Sequence, residues 1–257
     1  MKVMKFGGTS VGRPERMKEI ARLITREEES KIIVLSALSG TTNALVEISN
    51  FLHKGDRSSA KEKIENLQQH YEKFIKELYQ TDEAYQKGKH IIDEHFEFLN
   101  IILKISYSDA LNKDILAQGE LLSTKIFSTY LNEIHIKHTW IPALDFMSID
   151  AAGEPQVGAI KVKLTQILQT HPDEKLYITQ GFICRNSKGE VDNLKRGGSD
   201  YTASLIAAAV NASVCEIWTD IDGMHNNDPR IVEGTVPVRT LSFSEAAELA
   251  YFGAKIL

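Results

Sequence analysis

The residues with the most chemical content near the start of this chain are Lys5-Phe6-Gly7-Gly8-Thr9-Ser10. A cation, two residues without side chains and two hydroxyls follow the first apolar run, Val3 to Phe6, where a strand turns toward a helix. Such a turn lets backbone N–H groups approach an anion while the lysine supplies charge, and phosphate is the anion that fits. Gly7 and Gly12 have the spacing of a P-loop, but Arg13-Pro14 stands where that motif needs Lys-Ser/Thr, and here the lysine precedes the glycines. Nor does the loop give G-x-G-x-x-G, so a dinucleotide fingerprint has little support. By itself a Gly-Gly turn after a strand is ordinary turn chemistry, and other segments have to decide.

Lys195-Arg196-Gly197-Gly198-Ser199-Asp200 offers a second anion cradle, since it precedes an almost entirely apolar helix, Ala203 to Val210. An isolated Ser-Asp at a helix start reads as a cap; two glycines and two cations beside it favour a ligand. Further on, Trp218-Thr219-Asp220 ends an apolar run from Val214, and Gly223 and Asp228-Pro229-Arg230 follow in a loop. In an open α/β sheet ligands sit at the carboxyl ends of strands, so this loop is placed to hold a nucleotide. Ser242 to Glu245 has capping-box spacing and opens a helix carrying Tyr251-Phe252-Gly253-Ala254-Lys255, in which Gly253 breaks the helix and aims Lys255 inward.

The elements that must position these residues alternate in the first and last thirds of the chain. Strand patterns cover Val3 to Phe6 and Lys31 to Ala37, with helices at Pro14 to Glu29 and after Thr41-Thr42-Asn43. Pro14 and Glu15 mark that first helix start. From Thr139 onward the expected strands are Trp140 to Leu144, Lys175 to Phe182 and Val214 to Thr219, with helices near Gly158 to Thr170, Ser199 to Asn211 and Ser244 to Leu257. Alternation of this kind favours a largely parallel sheet covered by helices. Between these parts, Asp56 to about Glu133 contains no proline and carries apolar stripes at Ile64, Leu67, Tyr71, Phe74, Ile75 and Leu78, then Ile92, Phe96, Leu99 and Leu103. It reads as a mostly helical insertion whose first helix opens on a capping box at Ser59 to Glu62.

Composition excludes several classes. A chain of 257 residues with 42% hydrophobic residues can bury a substantial core in one large domain or two lobes. A net charge of -5 and the absence of Lys/Arg blocks argue against general nucleic-acid binding. The two cysteines, Cys184 and Cys215, lie far apart, which indicates neither a disulfide framework nor a Cys-based zinc site and fits a reducing cytoplasm. His90 and His95 miss the i, i+4 spacing, and His135 and His138 lack an H-E-x-x-H context, so no metal site is assigned. No apolar run is long enough to span a bilayer or to serve as a signal-peptide core.

Taken together, Lys5-Phe6-Gly7-Gly8-Thr9-Ser10, Arg196-Gly197-Gly198-Ser199-Asp200, Thr219-Asp220 through Asp228-Pro229-Arg230, and Phe252-Gly253-Ala254-Lys255 resemble, in order and spacing, the aspartokinases of the amino acid kinase superfamily. Ser36-Ala37 and Gln118-Gly119-Glu120 fit the same pattern, and the resemblance spans the whole chain. It implies a three-layer α/β/α sandwich with a mostly parallel open sheet and a helical insertion. Residues to about 190 would form a substrate-binding lobe, and about 191–257 a nucleotide-binding lobe. The implied reaction is phosphorylation of the L-aspartate side-chain carboxylate by ATP with Mg2+, the magnesium bound mainly through the ATP phosphates. Lys5 and Asp200 would be catalytic, Lys5 on the transferring phosphate and Asp200 orienting it. Ser36, Thr42, Glu120, Arg196 and Ser199 would bind the substrate, with Arg196 on a carboxylate and Glu120 on the ammonium. Lys5, Gly7, Gly8, Ser10, Thr219, Asp220, Gly223, His225, Arg230 and Lys255 would hold the nucleotide.

Two departures bear on affinity: His225 stands where tyrosine is frequent, and Lys195 where glycine is frequent. The family generally continues past the Gly253 to Leu257 segment into ACT regulatory domains, absent from these 257 residues, so a catalytic domain alone is expected. The resemblance also implies a cytoplasmic homo-oligomer, a dimer, with no nucleic-acid or membrane partner. Two other readings remain open at this stage: a superfamily kinase with a glutamate-type acceptor, and a catalytically silent nucleotide- or amino-acid-binding module.

Overall fold

Five short apolar segments pair side by side in one direction. The computed structural model describes residues 1–195, 197–228 and 231–252. The chain divides into two compact units, Met1–Trp218 and Thr219–Leu257.

In the first unit, strand β1 (Lys2–Phe6) leads through a single-turn helix α1 (Gly8–Val11) into α2 (Pro14–Ile24), followed by β2 (Lys31–Leu35) and α3 (Thr41–His53). Three long helices come next: α4 (Arg57–Leu78), α5 (Asp82–Ile102) and α6 (Asp109–Glu133). Then follow β3 (Thr139–Trp140), α7 (Ala143–Phe146), α8 (Val157–Gln169), β4 (Leu176–Gln180), a hairpin of β5 (Ile183–Arg185) and β6 (Val191–Asn193), α9 (Gly198–Ala209) and β7 (Val214–Trp218). The main sheet has the order β3-β4-β2-β1-β7, and all of its pairs are parallel.

Strand alternation builds the layers. Met4, Phe6, Ile33, Leu35 and Ile178 point to one face, where they join a core with Met17, Ile48, Tyr71, Phe96 and Phe127 from α2 through α6. Val3, Ile32, Val34 and Tyr177 point to the other, against Phe146, Ile160, Leu164, Ala203 and Ile206 of α7, α8 and α9. Both faces are covered, so β2 is buried at every position and reads as the uninterrupted run Lys-Ile-Ile-Val-Leu. This is the α/β sandwich that the alternation predicts, with α4, α5 and α6 as the helical block.

Several boundaries differ from expectation for local reasons. The helix from Pro14 stops at Ile24, not Glu29, because the Thr25 hydroxyl donates to the carbonyls of Ala21 and Arg22. The buried Lys31 ammonium then takes up the carbonyls of Glu27 and Glu29. The helical block opens three residues earlier than expected: Asp56, not Ser59, is the N-cap of α4 and accepts from Ser59 N at 3.0 Å. The strand expected over Trp140 to Leu144 ends at Trp140, since Pro142 has no N–H for the ladder and α7 begins just after it.

The second unit contains one helix, α10 (Phe243–Tyr251), among its described residues. Its expected capping box is present in both arms, Glu245 N to Ser242 Oγ at 3.3 Å and Ser242 N to Glu245 Oε2 at 2.7 Å. The continuation to Lys255 lies outside the described residues.

Candidate active site

Lys5 is the fourth residue of β1, so it shares a face with Val3 and points toward α9. Gly197, at φ 75°, is the N-cap of α9, and Asp200 lies in the first turn. Lys5 Nζ and Asp200 Oδ1 are 2.6 Å apart, an ion pair joining a strand end to a helix start across 195 positions of sequence. A Cβ built on Gly7 would lie 3.3 Å from Lys5 Nζ, so the ammonium sits directly above backbone that a side chain would crowd. In α1 the intrahelical donors begin with Ser10 N and Val11 N, both to Gly7 O. The N–H groups of Gly8 and Thr9 have no acceptor among the described residues.

The segment after β2 is clamped onto this loop. Ser36 N donates to Phe6 O at 3.2 Å, and a Cβ on Gly8 would stand 3.1 Å from Ala37 O. From the other side α6 holds the same segment: Ser123 Oγ donates to Ser36 O at 2.7 Å, and Ala37 N donates to Glu120 Oε1 at 3.3 Å. Gly119 makes this approach possible, because a Cβ there would come within 2.8 Å of Ala37 Cβ and 3.2 Å of Thr41 Cγ2. Thr41 is buried with its hydroxyl 3.0 Å from Tyr71 OH, while Thr42, in the same turn of α3, is half-buried.

Glu120 itself is 3% exposed, and its Oε2 is buried without a hydrogen-bond partner. Burial pushes its carboxyl up to about 8, offset only in part by the Ala37 N–H. An orphaned carboxylate oxygen this deep calls for a cationic or donor ligand.

The rim is completed after β4. Gly181 N donates to Leu35 O at 2.9 Å, and Gly181 has no room for a side chain because Ser199 Cβ would be 2.5 Å away. Phe182, at φ 66°, is a bulky residue in the left-handed region, held there by Thr202 Oγ1 accepting from its N–H at 3.0 Å and by Leu194 N donating to its carbonyl at 2.8 Å. Lys195 is also left-handed, at φ 54°, a conformation glycine takes without strain.

The structure therefore gathers Lys5, Gly7, Gly8, Ser36, Glu120, Ser199 and Asp200 along the carboxyl ends of β1, β2 and β4, where open α/β sheets bind ligands. Ser10 lies in α1 beside them. Ser199 and Asp200 are not caps; they stand inside the first turn, which leaves their side chains to the site. Ser123 and Phe182 are additions that sequence reasoning did not single out. Ser123 had a signal, one helical turn from Glu120; Phe182 had none, since its backbone strain is tertiary.

In the second unit Thr219 and Asp220 are exposed, with Thr219 Oγ1 donating to Asp220 Oδ1 at 3.2 Å, and Gly223 has φ 123°. His225 is buried and both ring nitrogens are engaged, Nε2 with Asp222 Oδ1 at 2.6 Å and Nδ1 with Thr235 Oγ1 at 3.0 Å. Its hydrogen bond to His225 holds Asp222 below the usual carboxylate range. Arg196, Arg230 and Lys255 lie outside the described residues. No cluster of three His, Cys, Asp or Glu side chains suited to a metal ion occurs among the described residues. No helix among them is long and apolar enough to cross a membrane.

A parallel sheet whose strand ends carry a lysine over a Gly-Gly turn, an aspartate on a facing helix and a buried glutamate forms a charged rim where open α/β sheets bind ligands. The profile of the amino acid kinase family matches residues 1–257, and the chain belongs to that family. Within it the similarity is to aspartokinases. Lysine-sensitive aspartokinase 3 of Escherichia coli (strain K12) is 35% identical over 258 residues, 99% of this chain and 57% of that protein. Aspartokinase 1, chloroplastic, of Arabidopsis thaliana is 38% identical over 268 residues, 99% of this chain and 46% of that protein. A crystal structure of E. coli aspartokinase III in complex with aspartate and ADP, in its R-state, matches with a TM-score of 0.87 at 34% identity, covering 100% of this chain and 57% of that one. The chain spans about half the length of the curated relatives it matches.

Proposed function

We propose that this chain is an aspartate kinase, transferring the γ-phosphoryl group of ATP to the side-chain carboxylate of L-aspartate to give 4-phospho-L-aspartate and ADP. The observation that carries this reading is the Lys5–Asp200 pair above the Gly7-Gly8 turn, on the same rim as the unpartnered Glu120 carboxyl oxygen. The crystal structure of the E. coli relative with aspartate and ADP supports it.

The reaction asks little covalent chemistry of the protein. A substrate carboxylate oxygen attacks the γ-phosphorus while the bond to the ADP oxygen breaks, so the protein must position two anions and neutralise their charge. The acceptor is already deprotonated at neutral pH, and no general base is needed. Lys5 meets the transferring phosphoryl group, and Asp200 keeps its ammonium from swinging away. Gly7 and Gly8 let the phosphates approach backbone N–H groups. Glu120 takes the substrate ammonium and Arg196 a carboxylate, with Ser36, Thr42 and Ser199 completing the substrate contacts. Thr219, Asp220, Gly223, His225, Arg230 and Lys255 are proposed to hold the nucleotide together with Ser10. Magnesium would arrive on the ATP phosphates and supply charge neutralisation there. The residues to about 190 are proposed as the substrate lobe, those beyond as the nucleotide lobe, and a cytoplasmic dimer as the working form.

The test is hydroxylamine trapping of the acyl phosphate with aspartate, glutamate and N-acetylglutamate as acceptors. Aspartate should be strongly preferred, and Lys5→Ala should lower turnover by about 10²-fold or more with the circular dichroism spectrum unchanged. Preference for a glutamate compound would overturn the substrate assignment, and wild-type turnover in Lys5→Ala would overturn the role of the lysine.

A further inference from the structure

We propose that Glu120 holds a proton while the substrate site is empty and surrenders it to water when the ammonium group of the amino acid arrives, so that substrate binding releases a proton. This rests on the functional reading above, in which the acceptor carries an ammonium group.

The geometry leaves an anion at Glu120 unsupported. Its carboxyl group lies in the middle of α6, with one long bond from Ala37 N and a buried second oxygen that nothing reaches. The nearby hydroxyls are committed elsewhere: Ser123 donates to Ser36 O, Thr124 donates to the Glu120 carbonyl oxygen, and Thr41 faces Tyr71. The charged and titratable groups on the packed elements are committed too. Lys5 of β1 pairs with Asp200, Lys113 of α6 pairs with Asp192 of β6, and Lys63 of α4 pairs with Glu47 of α3. On the α5 side, Lys125 meets the neutral ring of His95. Tyr71 of α4 is a buried phenol whose ionisation Glu120 itself opposes. Among the described residues no cation lies within ion-pair distance of Glu120.

An isolated carboxylate in such a place neutralises rather than remain charged. The upward displacement of its pKa to about 8 follows from that burial. A substrate ammonium reverses the balance, because an opposite charge in contact favours the ionised acid. The step balances simply: the Glu120 O–H bond breaks, its proton goes to solvent, and the carboxylate pairs with an ammonium that was already charged. Below about pH 8 substrate affinity should therefore fall as the solution is acidified, in proportion to the protons displaced.

Calorimetric titration of aspartate into the ADP-saturated protein, at pH 7 in buffers of different ionisation enthalpy, reads this directly. The heat should vary linearly with buffer enthalpy with a slope near one proton released per aspartate, and the slope should vanish above about pH 9. In Glu120→Gln, which has no acid proton to lose, aspartate should bind more weakly and without a buffer-dependent heat. Aspartate binding with a buffer-independent heat at pH 7 would overturn the proposal and leave the kinase reading standing. So would a slope that persists in Glu120→Gln or at pH 9. Absence of aspartate binding, together with absence of acyl phosphate in the hydroxylamine assay, would instead overturn the functional reading and this inference with it. Should Glu120→Gln fail to fold, the pH dependence of the wild-type slope decides.

Discussion

At the scale of single residues, the polar groups that matter most are those the fold buries. His95 of α5 is 7% exposed, with Nδ1 2.6 Å from Gln118 Oε1 and Nε2 3.1 Å from Lys125 Nζ. Gln118 Nε2 is already donating to Asp114 O, so its Oε1 faces His95 as acceptor; Nδ1 carries the hydrogen and Nε2 accepts from the lysine. Protonating Nε2 would set a cation against the Lys125 ammonium. Burial, helped by that lysine, lowers the His95 pKa to about 4. The unfolded chain therefore binds the proton first as pH falls from about 6.5 to 4, and this residue withdraws up to about 3 kcal/mol of stability across that window. Glu120 has the opposite sign, since its raised pKa lets the folded protein hold the extra proton between about 4.5 and 8. The two partly cancel, so the informative measurement is a difference. Urea unfolding of wild type and His95→Gln from pH 4 to 7 should show the variant losing less stability on acidification; parallel curves would rule out the buried neutral imidazole.

At the scale of elements, α6 decides the site. Its central residues are buried on every side, polar ones included, because it packs against β2 and β4 of the sheet, the β6 hairpin strand, α3 and α5. Gly119 sets how closely it meets the segment after β2. In Gly119→Ala the new methyl would stand 2.8 Å from Ala37 Cβ and 3.4 Å from Leu45 Cδ1, and the first of these neighbours cannot rotate away. The helix or the loop must shift, at about 1–3 kcal/mol of stability. That shift carries Ala37 N away from Glu120, so KM for aspartate should rise while KM for ATP changes little. Unaltered kinetics in Gly119→Ala would mean that the approach of α6 does not position the substrate glutamate.

For the first unit as a whole, the sheet separates two cores. Ile33 belongs to the core under α2 through α6, and Ile160 of α8 to the one on the opposite face. Each is fully buried, and Ile→Val at either should cost about 0.5–1.5 kcal/mol. With no shared apolar cluster, the double variant should equal the sum of the singles within about 0.5 kcal/mol, measured by chemical denaturation. A larger coupling would show that the two layers fold as one packed mass through the sheet.

Residue types and their period were enough for the alternation of strands and helices, the parallel sheet, the long helical block and the order of the motifs, because these follow from local stereochemistry and burial repeated every two or about 3.6 residues. The same information mislaid the end of α2, the cap of α4 and the short β3, where one hydroxyl, one aspartate or one proline outweighs the pattern. Only the tertiary structure could bring Lys5 onto Asp200, leave Glu120 Oε2 without a partner, and hold Phe182 and Lys195 at positive φ. Those are consequences of which strand ends and helix starts meet, and contacts between segments so far apart in sequence carry no local signature that a single chain could display.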